Sequence, residues 1–187
     1  MKKLIALLLA LVMMMSLVAC GEKPTEPSEP EIELPESALA MMQTIYDAWD
    51  FEYKSYFIGG GYSNMVEGAP GAVEATDTDT LQFLMYVPES CVGDVLDAAS
   101  YCHSMNYSVF TSGTFKVADA AAFCAKMQED LKNTQWMCGI PETLLLYTLG
   151  NEYVLFVMGT AENVDTFRPA LKAAYPDAVA VFDGPMG

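Results

Sequence analysis

The order of strand-like and helix-like segments in the second half of the chain constrains the fold more than any other sequence feature. Stretches rich in aromatic and β-branched residues alternate there with stretches whose apolar residues recur at steps of three or four. In chain order, strands are predicted at 107–117, 136–149, 152–158 and 178–182, with helices at 119–131 and 162–174. The predicted order is therefore β-α-β-β-α-β.

Local signals support this order. Gly150-Asn151 is a tight hairpin turn between the two middle strands, and Pro176 ends the second helix. Each helix has a single apolar face, as expected if both helices lie on one face of an antiparallel sheet. The sequence thus predicts an α+β fold with a ferredoxin-like βαββαβ core and one antiparallel sheet.

The segment before this core is expected to add helices. Apolar spacing predicts a helix over Ser37–Trp49 and a second one over Glu89–His103. Aromatic residues over Phe51–Ile58 indicate a strand, and the Gly-, Ala-, Pro- and Thr-rich stretch that follows to Thr80 indicates a long loop. Leu81–Val87 is either a strand or a helical turn. We therefore expect extra N-terminal helices before the ferredoxin-like core.

The N-terminus has the pattern of a secretory signal. Lys2 and Lys3 precede an apolar run from Leu4 to Val18, in which Ser16 is the one polar side chain. A membrane-spanning helix needs about 20 apolar residues, which is more than this run supplies. Residues 1–19 are therefore predicted to be a signal peptide.

Leu17-Val18-Ala19-Cys20 resembles the lipobox of bacterial lipoproteins. In those proteins the cysteine sulfur receives a diacylglyceryl group, and cleavage leaves that cysteine as the first residue. The resemblance implies that Cys20 is lipidated and holds the protein at the outer face of the cell membrane, since two acyl chains anchor stably. An ordinary secretory signal, in which Cys20 has no such role, is the alternative.

Residues 20–36 are predicted to form a tether. They contain four prolines and six glutamates, and proline together with like-charge repulsion favours an extended, solvated chain. At about 3.1 Å per residue, this segment would lift a domain roughly 50 Å from the membrane. The remaining residues, 37–187, have the length of a single domain.

The chain is strongly acidic. Its formal net charge is −16, and removal of the signal with Lys2 and Lys3 takes it to about −18. Nucleic acids are bound by neutralising phosphates with Lys and Arg, so we expect no nucleic-acid partner. The acidity fits either a solubility charge on a surface protein or an affinity for cationic ligands or divalent metals.

Motifs of common enzyme classes are absent from the sequence. His103 is the only histidine, which excludes HExxH metalloproteases and multi-histidine zinc sites, and no GxSxG motif occurs. Cys102 and His103 are a possible nucleophile and base, but they are neighbours on a predicted helix, where adjacent side chains point about 100° apart. The sequence therefore predicts no catalytic residue, no metal site and no cofactor, and an enzyme built on carboxylates remains a weaker alternative.

Four cysteines follow Cys20, and their state is left open. An exported chain permits disulfides, whereas Cys124 falls on the apolar face of a predicted helix, where a free thiol is common. Cys91, Cys102 and Cys138 complete the set. The sequence is compatible either with at least one disulfide or with four free thiols.

Two polar motifs have both a binding and a structural interpretation. Thr76 to Thr80 reads TDTDT, whose oxygens suit calcium, although capping a helix or forming a solvated loop is the commoner use. Gly59-Gly60-Gly61 follows an aromatic run and could cradle a phosphate, but no lysine follows in the required position and a flexible turn is favoured.

Aromatic residues are concentrated between Tyr46 and Tyr62. The segment contains seven of them, next to a Gly-rich stretch, and could line a groove for a sugar or a peptide. The candidate ligand-binding side chains are Trp49, Tyr53, Tyr56 and Tyr62. The alternative is that these aromatic residues pack the N-terminal helix against the sheet.

Three segments of the second half of the chain form a recognisable pattern: FKVADAAAFCAKMQEDL at 115–131, WMCGIPETLLLYTLGNEYVLFVMG at 136–159 and the helix that follows to Tyr175. With these segments the chain resembles a family of small lipoproteins from low-GC Gram-positive bacteria that is catalogued as a domain of unknown function. In that family a lipobox and an acidic tether also precede the domain. The resemblance implies a fold type and a location, and no activity.

The leading functional expectation is a membrane-anchored extracytoplasmic lipoprotein that binds or scaffolds a protein or cell-wall partner without catalysis. An exposed sheet edge would favour a protein partner. The alternatives are a small-ligand or peptide binder that uses the aromatic segment 46–62, and a carboxylate-based cell-wall enzyme.

Overall fold

An antiparallel sheet of eight strands runs through the part of the chain that the computed structural model describes, residues 32–134, 136 and 139–186. The strands are β1 Phe57–Gly59, β2 Val66–Glu67, β3 Gly71–Val73, β4 Val95–His103, β5 Phe110–Val117, β6 Thr143–Leu149, β7 Tyr153–Gly159 and β8 Val179–Pro185. The α-helices are α1 Ala38–Ala48, α2 Ala120–Asn133 and α3 Ala161–Ala174, and short helical turns cover Lys54–Tyr56, Thr80–Leu84 and Glu89–Asp94. The residues from Ile32 onward belong to one compact unit.

The strand order is β2-β1-β4-β5-β7-β6-β8, and every pairing is antiparallel. β3 also pairs with β4, on the same side as β1, so that the two short strands follow one another along the length of β4. The predicted α+β class with one antiparallel sheet is confirmed.

Both faces of the sheet are buried. Along β7, Val154, Phe156 and Met158 belong to a core that includes the apolar face of α2. The alternate residues Leu155 and Val157 belong to a second core, formed with α1 and α3. Because successive side chains of a strand point to opposite faces, the consecutive apolar residues of β7 contribute to both cores. The sheet is therefore the middle of three layers.

The predicted placement of both helices on one face is wrong, and so is the ferredoxin-like strand arrangement. In a ferredoxin-like sheet the last strand pairs with the first strand of the βαββαβ unit, whereas here β8 pairs with β6. The edge of β5 at which the last strand of a ferredoxin-like sheet would pair is paired with β4 instead. The crossovers β5-α2-β6 and β7-α3-β8 shift in the same direction across the sheet, but their first strands, β5 and β7, are antiparallel. Because such crossovers are right-handed, α2 and α3 lie on opposite faces of the sheet.

The remaining predicted elements have mixed outcomes. The helices predicted over 37–49, 119–131 and 162–174 are present as α1, α2 and α3. The helix predicted over Glu89–His103 is wrong, because this segment is a short turn followed by β4. β4 is an inner strand, and its small side chains Ala98 and Ala99 are buried on opposite faces of the sheet. It therefore shows no polar–apolar alternation.

Local sequence fixes the ends of several elements. The side chains of Ser37 and Asp119 accept backbone N–H groups at the starts of α1 and α2, as N-cap residues do. Gly150 has a φ of +58° in the hairpin between β6 and β7, which confirms the turn predicted there.

The last residues of the predicted tether lie against the domain. The Tyr153 hydroxyl donates to the Pro35 carbonyl at 2.8 Å, and the Leu34 side chain lies beside Gly150. The predicted signal, Cys20 and the tether up to residue 31 lie outside the described residues. Within the described part of the chain, no helix has the length and apolarity that a bilayer crossing requires.

Candidate ligand-binding site

An open cleft of about 780 Å³ is bordered by three connections and the end of a helix. The connections are the segment between β3 and β4 at 82–88, the loop between β4 and β5 at 105–108, and the segment after α2, which contributes Thr134, Trp136 and Gly139. Asp130, in the last turn of α2, completes this border. The volume falls within the range of small-molecule sites, about 300–1,000 Å³.

Aromatic side chains dominate the lining. Phe83, Tyr86, Tyr107 and Trp136 all line the cleft. The ring centroids of Tyr86 and Trp136 are 5.2 Å apart at an angle of 44°. Phe83 is 64% exposed and Met105 is 88% exposed. Large apolar groups concentrated in an open concavity are typical of ligand sites, because a ligand that covers them removes apolar surface from water.

The backbone of Tyr86 is in the left-handed region. Its φ is +55°, and it is the one non-glycine residue with a positive φ in the described chain. The flanking residues Met85 and Val87 are buried, and their N–H groups donate to the carbonyls of Thr80 and Leu81. Bulky residues rarely adopt this conformation, and such strain is found preferentially at functional sites. It places the Tyr86 ring against Trp136.

The loop that forms the second wall is fixed by side-chain hydrogen bonds. Nδ1 of His103 accepts the N–H groups of Met105 at 3.2 Å and Asn106 at 3.3 Å. Oδ1 of Asn106 accepts both the N–H and the hydroxyl of Ser108. Only a neutral imidazole can accept at Nδ1, and burial lowers the pKa of His103 in agreement with this. Four hydrogen bonds to the side chains of His103 and Asn106 therefore hold this wall of the cleft.

Trp49, the first of the predicted ligand-binding residues, belongs to the core. It is 1% exposed, and its ring lies 5.2 Å from Phe110 and 5.1 Å from Phe167. Its indole N–H donates to the hydroxyl of Thr166. No surface remains on Trp49 for a ligand, so the packing alternative describes this residue correctly.

The three predicted tyrosines lie on the surface, where Tyr53 and Tyr56 are neighbours and Tyr62 is held by a separate contact. Tyr53 and Tyr56 are exposed, with ring centroids 6.1 Å apart. Tyr62 is anchored elsewhere, through its N–H to the hydroxyl of Thr80. None of these tyrosines lines the cleft as the described residues define it.

Sequence reasoning missed the aromatic residues that do line the cleft. Phe83, Tyr86, Tyr107 and Trp136 are spread over three separate connections, and a search for aromatic clusters in one window does not detect them. A usable signal is that all four lie outside the strands and α-helices. That signal depends on correct element bounds, and the predicted strands 107–117 and 136–149 wrongly include Tyr107 and Trp136.

The cysteines described by the structure are buried free thiols. Cys91, Cys102 and Cys124 all lie in the core that contains α2, and burial raises the pKa of Cys102 and of Cys124 to about 12. Cys102 and His103 are neighbours on β4, not on a helix as assumed, so they point to opposite faces. They cannot form a nucleophile–base pair. Cys138 lies outside the described residues.

The TDTDT motif caps a helical turn. Oδ1 of Asp77 accepts the N–H of Thr80 at 3.0 Å, and Oδ2 accepts the Thr80 hydroxyl at 2.6 Å. The three glycines form a turn in which Gly60 has a φ of +84° and its carbonyl accepts the Ser100 hydroxyl. In the described chain, no three His, Cys, Asp or Glu residues are close enough together to hold a metal ion.

Three comparisons of the chain with known proteins gave no match. No family model, no curated protein and no solved structure matches it. Its resemblance to the Gram-positive lipoproteins therefore stays a prediction that depends on residues 115–175. The described residues form an α+β domain with an open, partly aromatic cleft.

Proposed function

We propose that the chain is an extracytoplasmic lipoprotein, held at the outer face of the cell membrane by lipid on Cys20, whose domain binds a ligand without transforming it. The leader and the lipobox motif support the location. The aromatic cleft supports the binding role and is the observation that carries the proposal. The ligand site is therefore placed at Phe83, Tyr86, Tyr107 and Trp136.

The chemistry of the lining favours binding over catalysis. The described lining residues include neither cysteine nor histidine, and Asp130 is their single carboxylate. Glycoside hydrolysis uses a pair of carboxyl groups that face each other across the substrate, and one carboxylate does not supply that pair. The buried thiols are protonated at neutral pH because burial raises their pKa, which removes them as nucleophiles.

A scaffolding role through the sheet edge has weaker support. The edge strand β8 exposes Val179 and Val181, which would suit an added strand from a partner. However, the register with β6 shifts beside Val181, and Pro185 removes a backbone donor. Such features protect a sheet edge from pairing with other chains. We therefore place the binding role in the cleft.

The proposal is tested with the neutral apolar dye N-phenyl-1-naphthylamine, whose fluorescence rises in apolar sites. Residues from Ile32 onward form one compact unit with two cores of their own, so the protein is titrated as a chain that starts at Gly21. We expect saturable binding, weakened about tenfold by Trp136→Ala, since loss of a contacting aromatic ring costs about 1–2 kcal/mol.

The matched control is Tyr56→Ala, which removes an exposed aromatic ring outside the cleft. It should leave the affinity for the dye unchanged. Absence of saturable binding would contradict the proposal. Loss of binding in Tyr56→Ala but not in Trp136→Ala would instead place the ligand on the aromatic segment 46–62.

A further inference from the structure

We propose that the cleft selects a small organic cation, a substituted ammonium group that carries an apolar body. This inference rests on the proposed binding function and specifies its ligand class. The ligand is a free small molecule, because the cleft has the volume of a small-molecule site.

The aromatic lining suits a cation. The faces of aromatic rings carry partial negative charge, so a cation within about 6 Å of a ring centroid is attracted to it, most strongly for Trp and Tyr. Tyr86 and Trp136 lie beside each other in the cleft, and Tyr107 and Phe83 belong to the same lining. Substituted ammonium groups are the ligands for which such groups of rings are best suited, because their alkyl substituents also remove apolar surface from water.

The charge distribution of the cleft also favours a cation. Asp130 is the one charged residue among the described lining residues. Lys116, Lys126 and Arg168 form ion pairs with acidic residues elsewhere. Lys132 shares the last turn of α2 with Asp130 but does not line the cleft. Among its described lining residues, the site therefore has a negative group and no positive group to compensate an anion.

The orientation of α2 acts in the same direction. Asp130 and Thr134 lie at the C-terminal end of this helix, and both border the cleft. The C-terminal end of a helix carries partial negative charge from its aligned peptide dipoles, which in α2 is reduced where Thr134 donates hydrogen bonds to the carbonyls of Asp130 and Leu131. A cation bound there interacts favourably with the helix end and with the carboxylate, whereas a phosphate or carboxylate ligand would be repelled by both.

The overall charge adds a longer-range attraction. The chain without its predicted signal carries about −18, which raises the local concentration of cations around the protein. This general field alone would not distinguish the cleft from the rest of the surface. The test must therefore separate the carboxylate of the cleft from the acidity of the whole protein.

Three probes with the same six-carbon tail and different head groups make this separation: hexyltrimethylammonium, hexan-1-ol and hexyl sulfate. Each probe is used to displace N-phenyl-1-naphthylamine from the chain that starts at Gly21. We expect hexyltrimethylammonium to displace the dye at about a tenfold lower concentration than hexan-1-ol, because cation–π and ionic contacts are available only to the charged head group. Hexyl sulfate should be the weakest competitor.

Two matched variants locate the effect. Asp130→Asn should reduce the advantage of the cation over the alcohol by about threefold. Glu129→Gln removes an exposed carboxylate one position away that does not line the cleft, and it should retain the full advantage.

Equal displacement by the three probes would overturn the inference while leaving the proposed binding function intact. An equal loss in Glu129→Gln and Asp130→Asn would also overturn it, because the general acidity would then explain the selectivity. Calorimetric titration of hexyltrimethylammonium is run in parallel. If the dye binds and the cation does not, the inference fails and the proposed binding function stands, whereas if the dye does not bind, both proposals fail.

Discussion

The guanidinium of Arg168 lies 2.9 Å from the carboxylate of Asp183, which links helix α3 to the edge strand β8. Tyr147, on the neighbouring strand β6, donates its hydroxyl to the same carboxylate at 2.5 Å. Burial alone would raise the pKa of Asp183, but the hydrogen bonds from Tyr147 and Arg168 outweigh it and hold the pKa below its ordinary value. One carboxylate therefore joins a helix and two strands.

Asp183→Asn should lower the free energy of unfolding at pH 7 by about 1–2 kcal/mol, because hydrogen bonds to a charged group of low exposure are lost. Asp165, which also pairs with Arg168, is 61% exposed, so Asp165→Asn should change stability by less than about 0.5 kcal/mol. Urea denaturation of both variants measures the difference. Since the folded pKa of Asp183 is lowered, its contribution should be present above about pH 3.8, the ordinary value, and be lost as the pH falls further.

His103 should make the stability depend on pH in a different range. Burial lowers its pKa below the ordinary value of 6.5, so the unfolded chain takes up the proton more readily than the folded protein. Stability should therefore be complete above about pH 6.5 and decrease as the pH falls below it. Urea denaturation from pH 7.5 to 5.5 should show this decrease in the wild type and a flatter profile in His103→Gln. Identical profiles would contradict the role of His103 as a neutral acceptor.

Gly71 should not tolerate a side chain. A Cβ atom there would lie 2.4 Å from the backbone nitrogen of Gly60 and 2.7 Å from the carbonyl carbon of Gly59. The backbone of β1 and β3 must shift to relieve this contact, so Gly71→Ala should destabilise the fold by about 2 kcal/mol or more. Gly93→Ala is the matched control, because a Cβ at Gly93 meets nothing within 4 Å. Thermal unfolding compares the two, and equal melting temperatures would show that the close approach is absent.

The buried cysteines should be unreactive until the protein unfolds. A Cys138→Ser variant that starts at Gly21 retains Cys91, Cys102 and Cys124, all buried and free. Titration with a thiol reagent should detect almost no thiol in the folded protein and three after unfolding without a reductant. Fewer than three in the unfolded protein would show that a disulfide links two of these residues.

Cys20→Ala should release the protein from the membrane. In the proposed lipoprotein the acyl chains on Cys20 supply the anchor, and replacing the sulfur removes the site of attachment. The expected result is loss of the protein from the membrane fraction, together with the absence of a lipid-modified N-terminal peptide in mass spectrometry. Membrane retention of the variant equal to that of the wild type would refute the anchor.

The helices could be predicted from sequence because their amphipathic pattern is local. The apolar spacing places Cys124 on the apolar face of α2, and it is buried there together with Ala120, Phe123, Met127 and Leu131. The hairpin at Gly150 was likewise correct, since a tight turn depends on the two residues that form it. These features need no information about the partner surface.

The candidate site could not be predicted in the same way. The sequence leaves the aromatic segment 46–62 open between a ligand groove and packing of the N-terminal helix, and the structure encloses Trp49 in the second core. Tyr86 and Trp136 come together only because the connections after β3 and after α2 end beside the same core. Their contact depends on the position of β4, which the sequence pattern assigned to a helix.

The sequence by itself determined the three helices, the hairpin, the strong negative charge and the prediction of a lipid anchor at Cys20, since each depends on neighbouring residues or on composition. Only the tertiary structure decided the strand order, the face of the sheet on which each helix packs, and the position of the cleft. The physical reason is that strands buried on both sides lose the alternation that reveals them. The cleft in turn depends on which strands pair, because pairing brings together connections that are far apart in the chain.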